Sequence, residues 1–207
     1  MNAVLYVHGR DGSAAEAEHY RPLFPGCAVV GPDYRGDSPW EAGAEIRKAV
    51  GELRSAYGEI TLIANSVGAF FCMDAGIDSL LRKAYLISPV VDMEALITGM
   101  MAAADVTETE LREKGVIRTA FGEELSWEYL SYVRAHPVRW DAPTHILYGA
   151  GDLLTPPGTI RAFADKTGAD LTVMENGEHW FHTEAEMQFL DGWIRGIRSR
   201  SGTAAGN

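Results

Sequence analysis

The chain is poor in cysteine, in basic residues and in long apolar runs, and each shortage narrows what it can be. Among its 207 residues there are two cysteines, Cys27 and Cys72. They cannot build a disulfide framework and form no Cys-x-x-Cys pair. Both lie in apolar surroundings and read as small core residues, a usage that fits a reducing compartment. Lys and Arg number 18 against 29 Asp and Glu, a net charge of −11. An acidic surface repels phosphate backbones and anionic lipid, so neither nucleic acid nor a membrane surface is expected as a partner. No apolar run approaches the roughly 18 residues of a membrane-spanning helix. Residues 1–9 hold no basic region and no cleavage site, so no signal peptide is read and a cytoplasmic protein is expected. No internal repeat or low-complexity segment is present.

What the chain does have is a hydrophobic fraction of 46%, enough for one sizeable core. Short apolar runs at 4–7, 27–30, 60–64, 84–87, 144–148 and 170–174 read as buried strands. Each is followed by Gly, Pro, Asn or Ser. Helical patterns lie between them, and that alternation predicts a mostly parallel sheet of about six strands, covered on both faces in a three-layer α/β/α sandwich. Ser38-Pro39-Trp40-Glu41 opens one helix, expected to run to Tyr57. Thr183-Glu184-Ala185-Glu186 is a capping box that opens another, with Met187, Leu190, Ile194 and Ile197 on one face and Trp193 beside them. A single domain over 1–198 is expected, with a mobile Gly, Ser and Ala-rich tail over 199–207.

The interval 90–142 breaks the alternation. It contains no convincing strand and reads as three helices, over 93–101, 107–114 and 126–134. An insertion of that length is either a second helical layer or a lid over the carboxyl edge of the sheet.

In an open parallel sheet, ligands bind beyond the carboxyl ends of the strands. The third strand ends in Ala64-Asn65-Ser66-Val67-Gly68, and a helix begins at once. This approximates the nucleophile elbow, Gly-x-Ser-x-Gly, with Ala64 at its first position. The competing reading is that Ser66 simply caps the helix. A serine hydroxyl is a weak nucleophile until a base takes its proton, so the elbow calls for an acid and then a histidine at later strand ends. Asp152 follows the strand at 144–148, and His179 follows the one at 170–174. Asp152 would orient the imidazole, and His179 would carry the proton. Asp92 is a second candidate acid and His182 a second candidate base; order and position favour Asp152 and His179. Oxyanion donors are expected from the amide of Val67 and from the loop after the first strand, with Arg10 as the second amide. His8, His19, His136 and His145 read as structural.

Taken together, these residues resemble the α/β-hydrolase family. The matching features are His8-Gly9, Pro32-Asp33-Tyr34-Arg35-Gly36, Ser66 in its elbow, Gly151-Asp152 followed by Thr155-Pro156, and Gly177-Glu178-His179. The resemblance implies an eight-stranded family sheet whose first two strands are absent here. It also implies that 90–142 is the helical cap. Met100, Met101, Trp127, Tyr129 and Tyr132 are candidates to line its pocket, although apolar residues at helical spacing are more often a cap's own core. A serine nucleophile argues against the Asp-dependent dehalogenases and epoxide hydrolases of the same fold.

The expected function is hydrolysis of a small carboxylic ester through an acyl-enzyme, with a small-molecule acyl substrate and neither metal nor organic cofactor. Thioester, amide or carbon–carbon cleavage and acyl transfer share this machinery, and a non-catalytic ligand-binding protein of the same fold is the alternative from a different class.

Overall fold

The computed structural model describes residues 1–203. In chain order the elements are β1 (Asn2–Val7), α1 (Ala17–Tyr20), β2 (Cys27–Val30), α2 (Pro39–Ala56), β3 (Ile60–Asn65), α3 (Ser66–Asp74), β4 (Lys83–Ile87), α4 (Met93–Ala103), α5 (Glu108–Lys114), β5 (Val116–Arg118), β6 (Glu124–Ser126), α6 (Trp127–Ala135), β7 (Thr144–Gly149), α7 (Pro157–Thr167), β8 (Asp170–Met174) and α8 (Glu184–Thr203). Six strands form one sheet in the order β2-β1-β3-β4-β7-β8. All of its pairings are parallel.

Alternate residues of each strand feed opposite faces, as the pleat requires. Leu5, Val7, Leu62, Ala64, Leu86 and Ile146 pack with α2, α3, α7 and the insertion. Val4, Tyr6, Ile63, Tyr85 and Leu147 pack with α1 and with Leu190, Ile194 and Ile197 of α8. Burial on both faces explains why the strands read as continuous apolar runs. Cys72 is buried in the first cluster, where desolvation pushes its thiol pKa up. Cys27 packs against the second.

The helices start where their caps lie. Ser38 Oγ accepts from the Glu41 amide at 3.3 Å, Thr107 Oγ1 from the Glu110 amide at 3.2 Å, and Ser126 Oγ from the Tyr129 amide at 3.2 Å. Each side chain satisfies one of the amides that a first turn leaves without an acceptor.

Two departures from the sequence reading follow. The interval 90–142 contains the antiparallel pair β5–β6, with Ile117 opposite Leu125. Strands of three residues are too short to show a two-residue period, and Leu125 alone of their six side chains is buried. The final helix also continues through Thr203, past the Ser199 at which a tail is expected. Ser199 Oγ donates to the Gly196 carbonyl at 2.9 Å, within the helical turn. Residues 204–207 lie outside the described residues.

The insertion is anchored to the sheet layers. Leu111, Leu125, Leu130 and Val133 belong to the same core cluster as α2, α3 and α7. Met101 is buried there, and Met100, Trp127, Tyr129 and Tyr132 pack against it. Trp40 of α2 meets the Tyr132 ring at 5.0 Å, and Tyr132 Oη donates to Asp74 at 3.0 Å. These aromatics therefore join the cap to α2 and α3. No helix among the described residues is long and apolar enough to cross a membrane.

Candidate active site

The chain leaves β1 towards β2 on one side and returns at β3 on the other. The loops after β1 and β3 therefore lie at a switch point of the strand order, where open parallel sheets place a ligand crevice. Ser66 sits there. Its φ is +49°, in the left-handed region that non-glycine residues seldom occupy. Such a backbone costs on the order of 1–3 kcal/mol, and it turns the chain sharply from β3 into α3.

Gly68 makes this turn possible. A Cβ placed there would lie 2.1 Å from the His8 carbonyl oxygen. On the other side, a Cβ on Gly9 would lie 3.1 Å from the Ser66 Cβ, so the loop after β1 runs directly against the nucleophile candidate. Tyr34 fixes this approach. Its hydroxyl donates to the His8 carbonyl at 2.7 Å, and its ring stacks on the His8 imidazole at 4.2 Å.

The three side chains sought in sequence come together. Ser66 Oγ lies 2.8 Å from His179 Nε2. His179 Nδ1 lies 2.7 Å from Asp152 Oδ2. With the imidazole proton on Nδ1, that nitrogen donates to Asp152 and Nε2 accepts the serine proton. The Asp152 side chain is fully buried, while that of His179 keeps one-fifth of its surface exposed. The second carboxylate oxygen of Asp152 accepts the amides of Leu154 at 2.7 Å and Thr155 at 3.1 Å. The carboxylate is thus held by its own loop on one oxygen and free to hold the imidazole with the other.

The rival candidates are engaged elsewhere. Asp92 caps α4, accepting from the Ala95 amide at 2.9 Å. His182 Nδ1 donates to the Trp180 carbonyl at 2.7 Å, and its ring stacks on Trp180 at 4.2 Å. The remaining histidines have structural contacts: His8 with Gly9 and Tyr34, His19 with Asp191 at 2.8 Å, His136 with the Tyr132 carbonyl at 2.9 Å and His145 with Asp170 at 3.0 Å.

The two amides named as oxyanion donors lie on either side of this crevice. Val67 is in the first turn of α3, where helix amides lack intrahelical acceptors. Arg10 follows Gly9 in a turn closed by the Gly12 amide on the Gly9 carbonyl at 3.2 Å. Asp11 takes the positive φ of that turn, +57°.

Sequence reasoning did not assign three supports of the site. The first is Glu186, a buried carboxylate. One of its oxygens accepts the Glu178 amide at 2.9 Å. The other accepts the His182 amide at 3.2 Å and the Thr183 amide and hydroxyl at 3.0 and 2.7 Å. Burial alone would raise its pKa. The backbone and hydroxyl donors from Glu178, Thr183 and His182 outweigh that and bring it down to about 2. Glu186 thus ties together both ends of the loop that carries His179. The second support is a relay behind the elbow. Asn65 Nδ2 donates to Tyr6 Oη at 3.1 Å, Tyr6 Oη donates to Glu16, and Glu16 accepts the Ser13 amide at 2.9 Å. The third is the ion pair between Arg10 and Glu123 of the hairpin, which ties the cap to the loop after β1.

Several solved structures share this fold. The chain superposes on alpha/beta hydrolase domain-containing protein 10 from mouse with a TM-score of 0.77 at 17% identity, covering 96% of this chain and 90% of that one. For Est1E from Butyrivibrio proteoclasticus the values are 0.72, 15%, 96% and 87%. For the thioesterase domain from the curacin biosynthetic pathway they are 0.58, 17%, 93% and 90%. The fold is that of the α/β-hydrolases, here with a six-stranded parallel sheet. No protein-family model matches the chain, and no curated protein matches its sequence.

Proposed function

We propose that this protein is a serine hydrolase that cleaves a small carboxylic ester through an acyl-enzyme on Ser66. The observation that carries this reading is the continuous hydrogen-bonded line from Ser66 through His179 to buried Asp152. Folds of this kind host many functions, so the site and not the fold bears the argument.

The chemistry follows from the geometry. Ser66 Oγ attacks the ester carbonyl while its proton passes to His179 Nε2. Asp152 stabilises the resulting imidazolium without taking its proton. Negative charge collects on the former carbonyl oxygen, where the amides of Val67 and Arg10 donate to it. Collapse of this intermediate breaks the bond to the alkoxy oxygen, and His179 returns the proton to that oxygen. Water, deprotonated by the same imidazole, then releases the acid and restores Ser66. A net charge of −11 suits a small acyl substrate better than a nucleic acid or an anionic membrane surface. The cytoplasm is the proposed compartment.

Acid release from a panel of small esters tests the reading. The wild-type protein should turn over at least one of them. Asp152→Asn should lower kcat by about 10⁴, because the imidazole loses its correct tautomer and its counter-charge. A variant as active as the wild type would contradict the role given to Asp152.

A further inference from the structure

The site has two unlike sides, and the reaction assigns each to a part of the substrate. This inference rests on the acyl-transfer reading of Ser66. The carbonyl oxygen points to the Val67 and Arg10 amides, on the β1 side of the serine. The breaking bond must point to His179, because that imidazole delivers the proton to the departing oxygen. The departing alcohol therefore lies on the other side, towards the loops after β7 and β8. The strand order separates the two sides, since β1 adjoins β3 on one edge while β4, β7 and β8 follow on the other.

On the β1 side Arg10 pairs with Glu123, in a hairpin loop that exposes one large apolar side chain, Phe121. On the His179 side the exposed groups are large and apolar. Leu153 and Leu154 follow Asp152, and Trp180 follows His179. Leu153 is 96% exposed, Trp180 71% and Leu154 48%. Their backbone is well held. Leu154 donates its amide to Asp152. The Gly151 amide bonds the Gly177 carbonyl at 2.8 Å, joining the two loops, and Trp180 is braced against the His182 ring. Three such side chains on two joined loops, each within two residues of Asp152 or His179, contribute nothing to the core. Exposed apolar groups on two joined loops beside the site are the kind of surface that binds a ligand.

We infer that Leu153, Leu154 and Trp180 form the leaving-group subsite, and that the preferred substrates are esters of hydrophobic alcohols. A lipid surface is a poorer occupant, because the net charge of −11 opposes an anionic membrane.

The test varies the alcohol and holds the acid constant. Straight-chain primary alkyl acetates from ethyl to octyl have alcohols of similar acidity, so their intrinsic reactivity changes little. The wild-type kcat/KM should rise by about two- to fourfold per methylene until the rim is covered, the upper figure corresponding to full burial. Ethyl esters of acids of rising length should show a shallower rise. Leu153→Ser and Trp180→Ser should each flatten the acetate series, lowering the ratio of hexyl to ethyl acetate. A flat acetate series in the wild type, or a slope untouched by both substitutions, would overturn the inference.

Calorimetric titration with 1-naphthol reads the same surface without turnover. Binding to the wild type that weakens at least fivefold in Trp180→Ser supports the subsite, and equal binding in both contradicts it. This arm still decides the matter if no acetate is hydrolysed, an outcome that would count against the hydrolase reading alone. Light scattering of Leu153→Ser guards against another occupant. A wild-type dimer that becomes monomeric in the variant would make the patch a self-association surface and remove the inference.

Discussion

At Ser66 the backbone and the side chain make opposing demands. A φ of +49° is unfavourable for serine, yet it is what lifts the hydroxyl into the crevice opposite His179. The strain is tolerated because the surroundings leave no alternative path, and Gly68 is the tightest part of them. Gly68→Ala would drive a methyl group into the His8 carbonyl, so we expect a loss of about 3 kcal/mol or more in urea denaturation. A loss below about 1 kcal/mol would mean that the loop after β1 yields easily. The three side chains that the structure brings together, Ser66, Asp152 and His179, were legible in the sequence because each lies just beyond a recognisable strand. Glu186 was legible only in part. It was read as the second half of a capping box with Thr183, and its bonds to Glu178 and His182 depend on how the loop folds back.

Glu186 also yields a prediction about acid. Its pKa lies at about 2, below the ordinary 4.5. The stabilisation it provides is therefore complete above about pH 4.5 and is lost as the pH falls towards 2. Glu186→Gln should be less stable than the wild type at pH 7, and its denaturation midpoint should fall less steeply between pH 5 and pH 3. Parallel midpoint curves for the two proteins would contradict the role assigned to this carboxylate.

Among the elements, the helices announced themselves and the hairpin did not. Ser38 and Thr183 carry start signals within four residues, and the structure uses both as caps. The β5–β6 pair has no comparable local signal. Its loop is closed by Thr119, whose amide bonds the Glu123 carbonyl at 2.7 Å and whose hydroxyl accepts the Glu123 amide at 3.0 Å. The partner of Glu123, Arg10, lies 113 residues away. No window of sequence brings those two charges together. The hairpin is nevertheless anchored, since Leu125 is 1% exposed. Leu125→Ala should cost about 2–5 kcal/mol, measured by chemical denaturation. A near-neutral substitution would reduce the hairpin to a surface ornament and weaken the link between cap and site.

For the whole molecule, the parallel sheet and its two covered faces followed from the alternation of apolar runs and helical patterns. What alternation left open was whether the interval 90–142 stands apart as a lid or joins the body. Its helices share one core cluster with α2, α3 and α7, and that continuity predicts joint unfolding. Near-ultraviolet and far-ultraviolet circular dichroism should report one coincident urea transition. An earlier, separate loss of the near-ultraviolet signal, with the far-ultraviolet signal intact, would show that the insertion opens on its own.

The central claim concerns one atom, Ser66 Oγ, and intact-mass spectrometry after treatment with a fluorophosphonate addresses it directly. One adduct is expected on the wild-type protein and none on Ser66→Ala. An adduct that persists in the Ser66→Ala protein, or a wild type that takes up no label, would contradict it.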